Sequence, residues 1–208
     1  MKKVLYLIIF FVFSNVVYSQ TTAYTFVKEL QNQGIDTICV YGNYCGFCLP
    51  FKCEELDSVY VFWQNQGKNF VKRMHLCYDF AIVEIDTITF WNTFFEYKEI
   101  IKTEEVKEFE YSTDTIKKRK KIIITTGGIS VVDAGYQEYK MIINNDTTDF
   151  FAGTIEFQQV HNNLNNKIYT NLNYQHNNNL KGKIVFDEIK KLVIRLETER
   201  KFIIKTKD

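Results

Sequence analysis

Apolar positions follow three rhythms along this chain, and each predicts a different kind of element. At the start, Val4 to Val17 is apolar almost without a break, interrupted only by Ser14 and Asn15 and preceded by Lys2 and Lys3. A run of about 14 residues is too short to cross about 30 Å of hydrocarbon as a helix. With its basic flank and the site Val17-Tyr18-Ser19, it reads as a cleaved signal peptide, residues 1–19. A helical rhythm occurs twice. Phe26, Val27 and Leu30 share a face within Thr21 to Gln33, with Gly34 as the stop. Ile184, Val185, Ile189, Leu192, Val193 and Leu196 recur near the C-terminus, opposite Asp187, Glu188, Lys190, Lys191, Arg195 and Glu197, and predict the chain's best amphipathic helix.

Between these helices the rhythm is two. Asp36 to Tyr41 alternates and is β-branched, as strands are. Ser58 to Trp63 and Asn69 to Cys77 face each other across Gln64-Asn-Gln-Gly-Lys68, a hairpin turn with Gly67 for a positive φ. Phe80 to Ile85 and Ile88 to Phe95 are expected to continue the meander. Ile122 to Val132 reads as a hairpin about Gly127-Gly128, and Tyr136 to Ile143 with Phe150 to Phe157 as another, closed by Asn144 to Asp149. The fold class expected is α+β, a mainly antiparallel sheet packed against the C-terminal helix with a short N-terminal helix.

Composition narrows the class. Removing Lys2 and Lys3 leaves 24 basic residues against 25 acidic ones, so the mature chain has no electrostatic claim on nucleic acid. Aromatic residues make up 16% of the chain, enough to build a core, and no Pro-rich or Gly-rich linker divides residues 20–208. They are expected to form a single globular domain. No other apolar run has the length of a transmembrane segment.

All five cysteines, Cys39, Cys45, Cys48, Cys53 and Cys77, fall in one stretch with the chain's single proline, Pro50. Tyr44-Cys45-Gly46-Phe47-Cys48 after an apolar strand resembles locally the redox motif of thioredoxin-fold proteins, where the first thiol sits at a helix N-terminus. That family's cis-proline has no counterpart after Pro50, Pro50 would disrupt the required helix, and the following strands alternate where a βαβ unit is needed. Cys39, Cys45, Cys48 and Cys53 also number enough for a tetrahedral zinc knot, although thiols of an exported protein oxidise before they find metal. The reading adopted is structural disulfides among the five candidates, with one thiol left over and Cys77 the natural anchor for the loop cysteines. No cofactor and no metal are expected.

Three polar features carry alternative readings. Lys117 to Lys121 is a basic run that reads as a solvated loop or edge strand, the alternative being a dock for an anionic polymer. His161 and His176 lie in an asparagine-rich stretch, 161–180, expected to be a loop; no carboxylate or thiolate stands near either for a metal site. Asp36-Thr-Ile, Asp57-Ser-Val, Asp86-Thr-Ile, Asp114-Thr-Ile and Asp146-Thr-Thr resemble the O-glycosylation signal of some bacterial exported proteins, with Thr37, Ser58, Thr87, Thr115 and Thr147 as acceptors. Turn-to-strand junctions generate the same triplets.

Phe62-Trp-Gln-Asn-Gln-Gly-Lys68 followed by Cys77, Asn173-Tyr-Gln-His-Asn177 and the terminal helix resemble a group of small uncharacterised exported bacterial proteins. The resemblance implies the architecture and carries no activity. No paired-carboxylate, nucleophile-elbow or phosphate-loop pattern occurs. The expectation is therefore a non-enzymatic binding or interaction domain, periplasmic or extracellular, taking an unidentified protein or envelope ligand. The alternative is a thiol–disulfide oxidoreductase using Cys45 and Cys48.

Overall fold

The computed structural model describes residues 22–44, 58–75, 77–86, 88–118, 121–128, 136–162 and 168–205. Residues 1–19, expected to be a signal peptide, together with Cys45, Cys48, Cys53 and Pro50, lie outside them. In chain order the elements are α1 (22–32), β1 (Thr37–Tyr44), β2 (Val59–Asn65), β3 (Lys68–Met74), β4 (Val83–Ile85), α2 (Phe90–Ile101), β5 (Glu110–Lys118), β6 (Lys121–Gly128), β7 (Tyr136–Ile143), β8 (Asp146–Gly153), β9 (Val160–Asn162), β10 (Ile168–Thr170), α3 (Tyr174–Asn178) and α4 (Lys181–Thr198). The class is α+β.

An antiparallel six-stranded sheet in the order β4-β3-β2-β1-β7-β8 forms the middle layer. Its two tight hairpins follow local chemistry. Gln66 and Gly67 have φ of 50° and 76°, and Asn144 and Asn145 have 49° and 70°, the doubly positive geometry that matches strand twist in two-residue turns. β1 alternates strictly. Ile38 and Val40 face α1, where Ala23, Val27 and Leu30 cover them together with Val61, Trp63 and Ile142. Cys39 and Tyr41 face the opposite core beneath α2 and α4.

On that second face, cross-strand register lines side chains into two parallel rows: Val71–Phe62–Cys39–Met141–Thr148 and Arg73–Tyr60–Tyr41–Tyr139–Phe150. α2 follows the first row. Its Phe90 ring meets Phe62 at 5.4 Å, and Lys98 and Lys102 reach Asp146 at 2.8 and 2.9 Å. α4 follows the second row in the reverse direction. Gly182 lies so close to the Phe150 ring that a Cβ would overlap it, Phe186 stands 5.6 Å from Tyr41, and Glu197 accepts hydrogen bonds from Tyr60 at 2.7 Å and Arg73 at 3.2 Å.

Helix ends are held by backbone geometry and by a distant side chain. Gly34, at φ +80°, closes α1, with its N–H on the Gln31 carbonyl and that of Ile35 on Leu30, the paired bonds of a Schellman motif. α4 ends the same way, Arg200 donating to Glu197 and Lys201 to Leu196, but here the left-handed residue is Arg200, at φ 52°. No local side chain caps the start of α4. The Glu104 carboxylate does so from the loop after α2, accepting from the N–H groups of Lys181 and Gly182 at 2.7 and 2.8 Å; its charge also suits the helix dipole.

Three expectations are corrected. Ile88 to Phe95 is not strand; residues 90–101 are α2, because Phe90, Trp91, Phe94 and Ile101 fall on one helical face and are all buried. Gly127 and Gly128 are not a turn but the end of β6, paired with Tyr111 and Glu110. Gly127 belongs there because a Cβ would sit 2.8 Å from the Tyr111 ring. The stretch 161–180 is not a plain loop, since it contributes to β9 and forms β10 and α3. The basic run straddles the β5–β6 connection, with Arg119 and Lys120 outside the described residues. Among the described residues no helix is long and apolar enough to cross a membrane.

Candidate functional site

Cys39 leaves the set of disulfide candidates and of zinc ligands. It is a free thiol at mid-strand, fully buried, and burial pushes its pKa well above the ordinary value, so it is no thiolate ligand or nucleophile. Cys77 is exposed and disulfide-bonded. Its N–H donates to Nδ1 of the buried His75 at 3.1 Å, and the His75 ring stacks on Tyr78. Cys45, Cys48 and Cys53 lie outside the described residues.

The hydroxyl positions scatter. Thr37 donates to Asp36 at 3.0 Å, Ser58 accepts from Arg73 Nε at 2.9 Å, Thr115 falls within β5, Thr147 is exposed on β8, and Thr87 lies outside the described residues. The two histidines serve separate contacts. His161 packs on Phe109, and His176 Nε2 donates to the Glu105 carbonyl at 3.0 Å. Among the described residues no group of three His, Cys, Asp or Glu side chains could hold a metal ion.

The asparagine-rich stretch has a structural role that sequence reasoning missed. Asn177, fully buried, donates to the carbonyls of Lys107 and Glu156 at 2.8 and 2.9 Å and accepts from the Lys107 N–H at 2.9 Å. Asn171, also buried, donates to the carbonyls of Glu156 and Gln158 at 3.0 and 3.1 Å. Asn173 donates to Glu108 at 2.9 Å. The amides replace missing backbone pairing for the loop 104–109 and for the turn after β8, which regular structure leaves unmatched. Asn173 and Asn177 thus hold the scaffold.

An open cleft of about 340 Å³ lies between β4 and the C-terminal turn of α4, lined by Val83, Glu84, Ile85, Asp86, Arg195, Leu196, Glu199 and Lys201. β4 is the outermost strand of the sheet. The C-terminal segment covers the start of this edge: Phe80 bridges Ile204, Ala81 N–H donates to Ile203 and Lys205 N–H to Asp79. Beyond Ala81 the two chains diverge, and no backbone hydrogen bond joins Val83–Ile85 to any described residue on the outer side. Ile85 and Leu196 are buried at the floor. Glu84 is paired with Lys68 at 2.9 Å, whereas Asp86, Arg195, Glu199 and Lys201 have no side-chain hydrogen bond or ion pair with a described residue. Nothing in the local sequence pattern marks this cleft, because its walls lie more than a hundred residues apart in the chain.

The chain matches no model of a known protein family, no curated protein and no solved structure.

Proposed function

We propose that the protein is an exported binding domain of the cell envelope, clipped by disulfide bonding near its first strand and acting without catalysing a reaction. The observation that carries this reading is the cleft beside β4. It gathers four charged side chains that the fold leaves uncommitted, while the buried amides, Tyr60, Arg73 and Glu197 are engaged in holding the scaffold. The basic and apolar N-terminus supports export. A bonded Cys77 supports an oxidising compartment, periplasmic or extracellular. In this reading Cys77 is tied to one of Cys45, Cys48 or Cys53, and Thr147, exposed on β8, is accessible as an O-glycosylation candidate.

The test is mass spectrometry of non-reduced protein recovered outside the cytoplasm of cells producing the full chain, followed by an insulin-reduction assay. The expected result is a mature chain beginning near Gln20, a loop cysteine bridged to Cys77, and no turnover. A readily reduced Cys45–Cys48 pair with turnover would overturn it in favour of a thiol–disulfide oxidoreductase. An intact mass equal to the unmodified chain from the native host would remove the glycosylation element alone.

A further inference from the structure

We propose that the β5–β6 hairpin is an arm that docks the protein on a membrane surface of anionic lipid, basic end first. This is a second surface, and nothing in it depends on the cleft. The hairpin is a sheet of its own. Its ties to the body lie at the base, where Leu172 N–H donates to the Glu110 carbonyl at 2.8 Å and the Tyr111 ring packs on Tyr169 at 4.3 Å. Farther out, no backbone hydrogen bond joins residues 114–118 or 121–126 to a described residue outside the hairpin. A two-stranded ribbon is marginal in water unless something packs against it, so the outer half gains from meeting a surface.

Register fixes the order of charge along the arm. Glu110 stands at the base opposite Gly128, and Asp114 follows opposite Thr125; then come Lys117 opposite Ile122 and Lys118 opposite Lys121. The last pairing sets like charges directly across the ladder, which disfavours the hairpin on its own and is relieved by anions at its end. The sequence adds Arg119 and Lys120 between them. From Glu110 to Lys118 an extended strand spans roughly 27 Å, well beyond the Debye length of about 8 Å at physiological salt, so the acid at the base does not neutralise the far end. Of the 24 basic residues in 20–208, five fall in the run 117–121, which holds no acid, and the rest of the chain carries 19 basic residues against 25 acidic ones. A positive arm on a negative body turns the molecule in the field of an anionic surface, arm toward it and body away.

The neighbours of the cations select the kind of anion. Ile116, Ile122, Ile123 and Ile124 flank the run, and no aromatic residue lies between Asp114 and Thr126. Single-stranded nucleic acid is held by stacking on aromatic rings, which this stretch lacks. Aliphatic residues beside lysines suit the headgroup boundary of a bilayer, where apolar side chains enter and lysines reach the phosphates.

The experiment uses the mature protein, its disulfide intact, and vesicles of phosphatidylglycerol mixed equally with phosphatidylcholine, with pure phosphatidylcholine vesicles as the blank. Co-sedimentation is expected with the anionic vesicles only, and is lost at about 0.5 M salt. Each cation near an anionic surface strengthens binding about fivefold, so Lys117→Ser, Lys118→Ser and Lys121→Ser together should weaken it about a hundredfold. The three corresponding arginine variants, combined, should bind as the parent does, which separates charge from any effect on the folding of the hairpin. Lys190→Ser with Lys191→Ser, both exposed on α4, should leave binding unchanged. Emission from the buried Trp63 and Trp91 checks that each variant keeps its core. No binding, equal binding to both kinds of vesicle, full binding by the triple serine variant, or an equal loss with the α4 pair would each overturn the proposal. Binding to soluble polyphosphate but not to vesicles would overturn it in favour of a soluble polyanion.

Discussion

Removing the Asn177 amide is the most direct test of whether buried asparagines hold the second layer of this fold. Asn177→Ala deletes three hydrogen bonds of 2.8 to 2.9 Å at a fully buried position. Each is worth about 1 kcal/mol net. The Glu156 carbonyl keeps a partner, because Asn171 also donates to it at 3.0 Å. The Lys107 N–H and carbonyl lose the amide partner and gain none, and a buried polar group left unpaired costs about 1–3 kcal/mol. Partial exposure of the loop puts the sum at about 3–5 kcal/mol. For a domain of ordinary stability that is a third or more of the total, and a fall in Tm on the order of 10 °C. Urea denaturation followed by tryptophan fluorescence measures it. Asn178→Ala is the control, since that amide bonds only Tyr174 within α3, and it should cost less than about 1 kcal/mol. The shared acceptor adds a sharper criterion. The double variant Asn171→Ala, Asn177→Ala strips Glu156 of both donors and should cost more than the sum of the single variants by at least about 0.5 kcal/mol. A loss below about 1 kcal/mol for Asn177→Ala, or strict additivity, would refute the reasoning.

Four further outcomes follow from particular contacts. Arg200→Gly should raise stability by about 0.5–1 kcal/mol in thermal melts, since glycine carries no steric penalty at φ 52°. Tyr139→Phe should be neutral or stabilising by up to about 1 kcal/mol, because its buried hydroxyl has no hydrogen-bond partner among the described residues; a clear loss would show a partner for it. Gly182→Ala should destabilise by about 1–3 kcal/mol, the Phe150 ring being hemmed in by Tyr139 and Phe157. Hydrogen bonds from Lys102 and then Lys98 lower the Asp146 carboxyl from 3.8 to about 2. A depressed folded-state pKa contributes stability that is present above pH 4 and is lost as pH falls toward 2. Asp146→Asn should therefore flatten the stability profile in that window, read from acid titrations of the folded fraction.

Local chemistry was legible in the sequence, and distant pairing was not. Gly34, Gly67 and the α4 face could be read because each depends on residues within a turn or two of itself. The strand reading of Asp36 to Tyr41 held for the same reason, and its alternation also fixes the direction of Cys39: with Ile38 and Val40 under α1, Cys39 must enter the other core. Ile88 to Phe95 misled because aromatic and β-branched residues favour strands when no tertiary partner is known, while Phe90, Trp91, Phe94 and Ile101 gain more by covering the row at Phe62. Gly127-Gly128 misled because its use is a close approach by Tyr111. The asparagines looked like loop composition because their acceptors, Lys107 and Glu156, lie on separate segments. The cleft depended on β4 meeting the end of α4, a juxtaposition no local window contains.

The position of β1 dictates an order of assembly. Its neighbour on one side, β2, is the next strand in sequence, but its neighbour on the other side, β7, arrives only after β3, β4, α2, β5 and β6 have been made. A chain emerging N-terminus first, from a ribosome or through a membrane pore, therefore carries a central strand with one edge open through most of its passage. The aromatic row of Tyr60 and Tyr41 stays bare still longer, until α4 closes over it near the end of the chain. Long-range pairing of this kind slows folding and leaves partly made chains prone to pair with one another. Acquisition of the native state is thereby deferred to the moment of release, and a chaperone that shields an open strand edge would serve it better than one that binds an exposed helix.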